Sequence, residues 1–268
     1  NYISDKFKLN YGLNGIYYEF NPGTIKPSTP ESGINPDQLD KKYAFEPAVY
    51  IEAENQLSKK ITVSYGLRYS LFYRLGESTI NLYENDNAVT FNSQLGIYEK
   101  GTPTSTQYYG KNKAIKNYNN LEPRFSVSYQ LNDDQAIKAS YNRMAQYLQL
   151  ISNTSSPTPL DVWMPSDKYI KPQIADQVAL GYFKNIRNGA YSLEVESYYK
   201  EIQNRLDYID GADLIANNAI EQVILNGQMR AYGLEIMFKK NEGKFNGWIS
   251  YTLSKSEQKT PGRTPEET

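Results

Sequence analysis

Hydrophobic and polar residues alternate with a period of two along most of the chain, in unusually long runs. From Ile61 to Leu75 one face collects Ile61, Val63, Tyr65, Leu67, Tyr69, Leu71 and Tyr73. The other face collects Thr62, Ser64, Gly66, Arg68, Ser70, Phe72 and Arg74. Successive side chains of a strand point to opposite sides, so this pattern predicts one strand of about fifteen residues, where an ordinary strand runs to about 5–6. The same parity predicts strands over Phe7–Tyr17, Arg124–Leu131, Ile137–Tyr141, Tyr191–Lys200, Tyr232–Phe238 and Phe245–Leu253. Val49–Leu57 and Gln177–Tyr182 follow it less strictly, for a total of about nine strands. At Asn14-Gly15 a hairpin turn competes, but the parity of Phe7–Leu13 carries through to Tyr17 and favours one strand. Leu214–Leu225 fits neither period well and reads as a short helix or an irregular strand.

The connections alternate too. Short polar turns at Ser58–Lys60, Asn132–Gln135, Asn185–Gly189 and Asn241–Lys244 separate the strands at one end. Long segments rich in Gly, Pro, Asn, Ser and Thr join them at the other, over residues 21–42, 76–120, 145–172 and 204–227. A soluble sandwich places turns every 8–12 residues or so at both ends. Short turns at one end and long loops at the other are the habit of outer-membrane barrels. The apolar face is then either a soluble core or a wall against lipid, and the period alone fits both. Strand length, loop asymmetry and tyrosines near strand ends (Tyr17, Tyr73, Tyr199) favour lipid. On that reading the opposite face, with Arg68, Arg74, Arg124, Glu194 and Glu196, lines a wet lumen.

Composition narrows the function classes. The 268 residues carry 29 Lys+Arg against 30 Asp+Glu, a net charge of -1, which is no footprint for nucleic-acid binding. There is no cysteine and no histidine, so thiol nucleophiles, disulfides, Cys/His zinc sites and histidine-based triads are excluded. No apolar run approaches the roughly 18 residues of a spanning helix. The chain opens directly on a strand-like stretch, NYISDKFKLN, with no signal peptide. Tyrosine, at 25 residues against 2 Trp and 9 Phe, suits strands and interfaces. Glu194 and Glu196 have a spacing compatible with acid–base work, but alternating Glu on a solvated strand face is ordinary. Asp207, Asp210 and Asp213 resemble a calcium loop only loosely, and they and Glu84–Asn87 read as solvated loops. We therefore expect no enzyme, no catalytic residue, no metal and no cofactor. The loop aromatics Tyr108, Tyr109, Trp163 and Tyr169, with Tyr147 nearby, are the candidates for gripping a ligand or partner.

Leu121–Leu131 (LEPRFSVSYQL) followed by Ile137–Arg143 (IKASYNR) resembles the barrel of TonB-dependent outer-membrane receptors. So do the passage Ser155–Tyr182, Gly227–Lys240 (GQMRAYGLEIMFKK) and Gly247–Ser254 (GWISYTLS). Each motif alone is weakly specific; their order along nearly the whole chain is more so. The resemblance implies an all-β fold, an antiparallel transmembrane β-barrel, typically 22-stranded and plugged. Residues 1–268 would be about nine strands of that single barrel domain, since 22 strands at this spacing need on the order of 650 residues. The plug, the coupling box and an aromatic-ended last strand are not in this chain, which stops in a polar stretch, Thr260–Thr268. Nine strands with two open edges cannot stand alone in lipid, so a longer chain is expected. The implied function is uptake of a bulky ligand across the bacterial outer membrane. The implied partners are the TonB energy-coupling protein, acting through parts outside this chain, the outer-membrane lipid and a surface lipoprotein. Two other readings stand beside it: a non-transporting barrel that serves as scaffold or docking subunit, and a soluble β-rich carbohydrate-binding module.

Overall fold

A computed structural model describes residues 2–4, 6–27, 29, 37–152, 161–214 and 217–260. Its main sheet has ten strands: β1 (Tyr2–Ser4), β2 (Phe7–Phe20), β3 (Lys42–Gln56), β4 (Ile61–Leu75), β5 (Ala114–Asn132), β6 (Gln135–Gln146), β7 (Gln173–Ile186), β8 (Tyr191–Tyr208), β9 (Ile224–Lys240) and β10 (Gly247–Lys259). Each pairs antiparallel with its neighbours in sequence, so the sheet is a plain meander. It is open, because β1 and β10 do not pair. The nine long strands are those the alternation predicts, and Asn14-Gly15 lies inside β2, not at a turn. The tenth strand, β1, is three residues long and too short to show a period.

Register turns the alternation of single strands into continuous rows. Phe125 lies beside Tyr141, Tyr141 beside Val178, Val178 beside Tyr199, and Tyr199 beside Tyr232. The next row on the same face runs Val127, Ala139, Leu180, Ser197, Leu234 and Leu253. On the first strands Tyr11, Ile51, Leu67 and Pro123 are aligned. This apolar face is bare: Leu13 is 86% exposed, Leu253 61% and Leu180 54%. Among the described residues no second sheet packs on it. A soluble module would bury these side chains against a partner layer, so that reading falls.

Where the apolar band ends, charge begins. Two residues beyond the Tyr141–Tyr232 row, toward the long connections, the same face carries Arg143, Asp176, Glu201, Arg230 and Glu257 in register. Arg143 pairs with Asp176 at 3.8 Å, and Glu257 is held by Arg230 at 2.5 Å and Lys255 at 2.6 Å. On the first strands Lys41 and Glu19 form a 2.8 Å pair two residues beyond Tyr43 and Tyr17. An aromatic row followed by ion pairs is the profile of a wall passing from hydrocarbon into headgroups.

The opposite face holds small and polar residues. Gly12 is needed there because the Tyr50 ring lies across it, and a β-carbon would meet the phenol oxygen at 2.7 Å. Several strands run past the end of the alternation. β5 already starts at Ala114 and β8 continues to Tyr208, so the long connections are shorter than the sequence reading has them: residues 21–41, 76–113, 147–172 and 209–223. In these extensions the strict alternation is lost, and the ladder continues without a period-two signal. β8 changes register there through Asn204, in the left-handed region at φ 56°, whose amide donates to the Pro172 carbonyl at 2.9 Å. Of residues 214–225, 215 and 216 lie outside the described residues, and the rest include a 3-10 turn at Ile220–Gln222 and the start of β9 at Ile224.

Arginine at Leu67 should destabilise the full-length protein in a bilayer by about 2–4 kcal/mol, because its neighbours Ile51 and Pro123 share the apolar row. Arginine at Asn10, on the other face and opposite Glu52, should be nearly neutral. Ser70 looks equally tolerant from sequence but is fully buried, so it is no suitable control. Urea unfolding of the two variants in lipid vesicles measures the difference; equal costs would contradict the assignment of faces.

Candidate functional site

The polar face of the sheet is organised around Arg68. Its guanidinium lies 3.4 Å from Glu46 of β3 and 3.6 Å from Glu122 of β5. Ser70, two residues further on the same face, donates to Glu122 at 2.6 Å and shares a 2.8 Å hydrogen bond with the Tyr147 hydroxyl. Asn120 donates to the same hydroxyl at 2.8 Å, and Tyr18 donates to Glu46 at 3.0 Å. Tyr147 follows the end of β6 and turns back onto the wall. Its ring stacks on Phe72 at 4.7 Å, with 3° between the planes. That contact explains an apolar residue in the polar row of β4.

Glu46 and Glu122 carry no obvious signal of function in the sequence, yet each precedes a proline inside a strand, Pro47 and Pro123. A proline cannot donate to the ladder, and pairing of β3 with β4 skips Glu46 and Pro47 between Phe45 and Ala48. The repeated Glu-Pro pair is the signal that could have found them.

All four long connections leave the same end of the sheet, and three of them pack together. The segment 76–113 forms a ribbon, Ser78–Tyr83 against Pro103–Tyr109, with a smaller one beyond it, Val89–Asn92 against Ile97–Lys100. Leu148–Ile151 pairs with Val162–Pro165. Ile151, Met164, Ile170, Leu206, Ile209, Ile220 and Val223 form a buried apolar cluster between these segments. Polar contacts fasten its rim. Glu221 accepts from Asn81 and from Tyr83, each at 2.9 Å. Lys168 pairs with Asp86 at 2.6 Å, and Gln222 donates to the Gly101 carbonyl at 2.8 Å. The Asp167 carboxylate accepts from the backbone N–H of Tyr169 at 2.8 Å and of Ile170 at 2.9 Å. Tyr118 of the wall donates to the Asp167 carbonyl at 2.6 Å. The loops are therefore a cap with its own core, built as a soluble domain is.

The candidate aromatics occupy different parts of this cap. Trp163 stands 53% exposed on the ribbon opposite Leu150. Tyr108 is 62% exposed, its phenol donating to Glu77 at 2.8 Å, with half-buried Tyr109 beside it. Tyr169 is engaged inside the cap: its phenol donates to the Asn81 carbonyl at 2.9 Å and its ring meets Tyr83 edge-on at 5.4 Å. Of the charged candidates, Arg68 sits in the network above and Arg74 is wholly buried. Arg124 is exposed opposite Gly66 and Asn142. Glu194 lies between Phe183 and Met237, and exposed Glu196 between Gly181 and Glu235. No three of Asp, Glu, His or Cys come together as a metal site among the described residues. Asp207 instead accepts hydrogen bonds from the Tyr208 backbone and the Thr260 hydroxyl.

The comparisons with known proteins agree with this architecture. The family model described as "TonB dependent receptor-like, beta-barrel" matches residues 1–267. The chain belongs to the TonB-dependent receptor family of the bacterial outer membrane. Among solved structures it is similar to the FrpB iron transporter of Neisseria meningitidis, with a TM-score of 0.59 and 16% identity over 99% of this chain and 36% of that one. It is also similar to the ferric-catecholate import receptor Fiu of E. coli, at 0.55 and 17% over 94% and 35%. The hemophore receptor HasR of Serratia marcescens, solved as a double mutant with its hemophore HasA and heme, gives 0.57 and 14% over 92% and 38%. At these identities the likeness is one of fold. The chain spans about a third of the length of these solved chains. None of the curated proteins matches it by sequence.

Tyr83 and Tyr169 give the cap a pH dependence. Burial is the main cause that pushes both phenols above the ordinary tyrosine value, and the Glu221 carboxylate adds to it at Tyr83. The folded cap thus favours the neutral phenols. The contribution of these two phenols to its stability is fully present at neutral pH and is lost as pH rises past about 10, where tyrosines in an opened cap ionise. Limited proteolysis of the full-length protein in detergent should therefore cut within residues 76–113 at alkaline pH while the strands stay protected. Cleavage that is independent of pH would contradict this.

Proposed function

We propose that this chain is wall and outer loops of a receptor that takes up a bulky ligand across the outer membrane. The observation that carries the reading is one wall with three environments: an apolar outer face, a charged inner face, and a packed cap at one end only. In this reading the short turns face the periplasm and the cap faces the exterior. The ligand meets the cap first and then the inner face around Arg68, Arg124, Glu194 and Glu196. Import is driven through the TonB protein, which acts on parts of the receptor outside this chain. Trp163 and Tyr108, with Tyr109 beside it, form the capture surface, because they offer large rigid faces whose ordering costs little entropy. Tyr169 supports that surface from within the cap. The similar solved structures are an iron transporter, a ferric-catecholate import receptor and a hemophore receptor in complex with its hemophore and heme. A ligand with flat or ring-shaped faces suits the loop aromatics here, which admits such chelates and also glycans.

The test is growth of a deletion strain complemented with the full-length receptor. Ferric chelates, heme and oligosaccharides serve in turn as the sole source of iron or carbon. Wild type should restore growth on one class, and Trp163→Ala with Tyr108→Ala should lose it while heat-modifiable gel mobility stays normal. Full growth of the assembled variant would leave these aromatics as loop packing. A deletion without phenotype on the whole panel would favour the docking-subunit reading.

A further inference from the structure

We propose that Arg74, with Lys42 beside it, binds a small oxyanion between the polar face of the wall and the turn at Ser166–Ile170. Arg74 lies on the inner face of β4, beside Ala44 of β3 and Lys116 of β5, and is 0% exposed. Only one corner of its guanidinium is occupied: Nη1 donates to the backbone carbonyls of Tyr43, at 3.1 Å, and of Leu75. Nε and Nη2 have no hydrogen-bond partner among the described residues. Those two atoms form the side edge of the guanidinium. Their N–H bonds run parallel at the spacing of two oxygens on one carbon, phosphorus or sulfur centre. A buried cation with that edge unmet is strongly disfavoured.

The surroundings fit an anion. Lys42 immediately precedes Tyr43, whose carbonyl Arg74 binds, and the two cations lie within electrostatic range of each other. Asp167 acts on both from the turn above, while Asp40 and Glu221 act on Lys42. Asp167 already uses Oδ1 to hold the N–H groups of Tyr169 and Ile170. Ser166, next to it, is fully buried, and its hydroxyl also lacks a partner among the described residues. An oxyanion on the Arg74 edge would thus have two positive charges below it and a hydroxyl in the neighbouring turn. It would tie the cap to the wall. The site is independent of the capture surface proposed above, since neither Trp163 nor Tyr108 takes part.

The probe is selenate, a tetrahedral oxyanion with an anomalous signal, added to the full-length receptor in detergent against chloride at matched ionic strength. A crystal should show selenium beside Nε and Nη2 of Arg74. Arg74→Lys keeps the charge but removes the fork, and should weaken selenate binding about ten- to a hundredfold. Asp167→Asn removes the competing carboxylate and should tighten it. Competition by acetate identifies a carboxylate as the favoured occupant, and competition by inorganic phosphate a phosphate group. The proposal is overturned if the Arg74 edge binds a carboxylate of the full chain, or if Arg74→Lys binds selenate as wild type does. Should Arg74→Lys fail to assemble, the partly buried Lys42→Gln decides: a several-fold loss supports the site, and unchanged affinity overturns it.

Discussion

Inside a bilayer no water is available to a backbone N–H or carbonyl, so each must find its partner in a neighbouring strand. Most of this structure follows from that constraint. It demands long strands in unbroken register, and a meander supplies them with the shortest connections. It also divides side chains strictly, because a strand that crosses lipid has one face in hydrocarbon and one in the lumen. The rows from Phe125 to Tyr232 and from Val127 to Leu253 are that division made continuous across strands. A sheet with two free edges meets the constraint only beside further strands, so the arc described here belongs within a larger closed wall.

The cap obeys other rules. Once the chain leaves the apolar band, backbone groups can bond to water, and segments fold by ordinary burial. The cluster around Ile151, Met164, Ile170 and Val223 needs no lipid. Tyr147 joins the two regimes: its ring stacks on Phe72 of the wall while its hydroxyl takes part in the Ser70–Asn120 network. Arg68, set between Glu46 and Glu122, sustains that network from below. The long connections are therefore fastened by contacts that reach into the wall.

How much could be read from sequence differs between these regions for a physical reason. Alternation is legible wherever one face meets hydrocarbon, which is why Ile61–Leu75 can be delimited to the residue. It fades where both faces are wet, so Ala114–Asn120 reads as loop although it continues β5. The inner network is legible only in part: charge parity points to Arg68, but Glu46, Glu122 and Tyr147 are defined by register across strands and by a loop folding back. Among the loop aromatics, sequence alone does not separate exposed Trp163 from Tyr169, because the difference lies in contacts with Asn81 and Tyr83 on a distant segment.

The central claim is that the odd-numbered face of β4 meets lipid. Spin labels placed singly at residues 62–69 of the full-length protein, in bilayers, would test it by comparing collisions with oxygen, which partitions into hydrocarbon, and with a water-soluble nickel chelate. The account predicts a period of two, with oxygen favoured at 63, 65, 67 and 69 and lower at 62, 64, 66 and 68. Uniform accessibility along the strand, or the opposite parity, would contradict it.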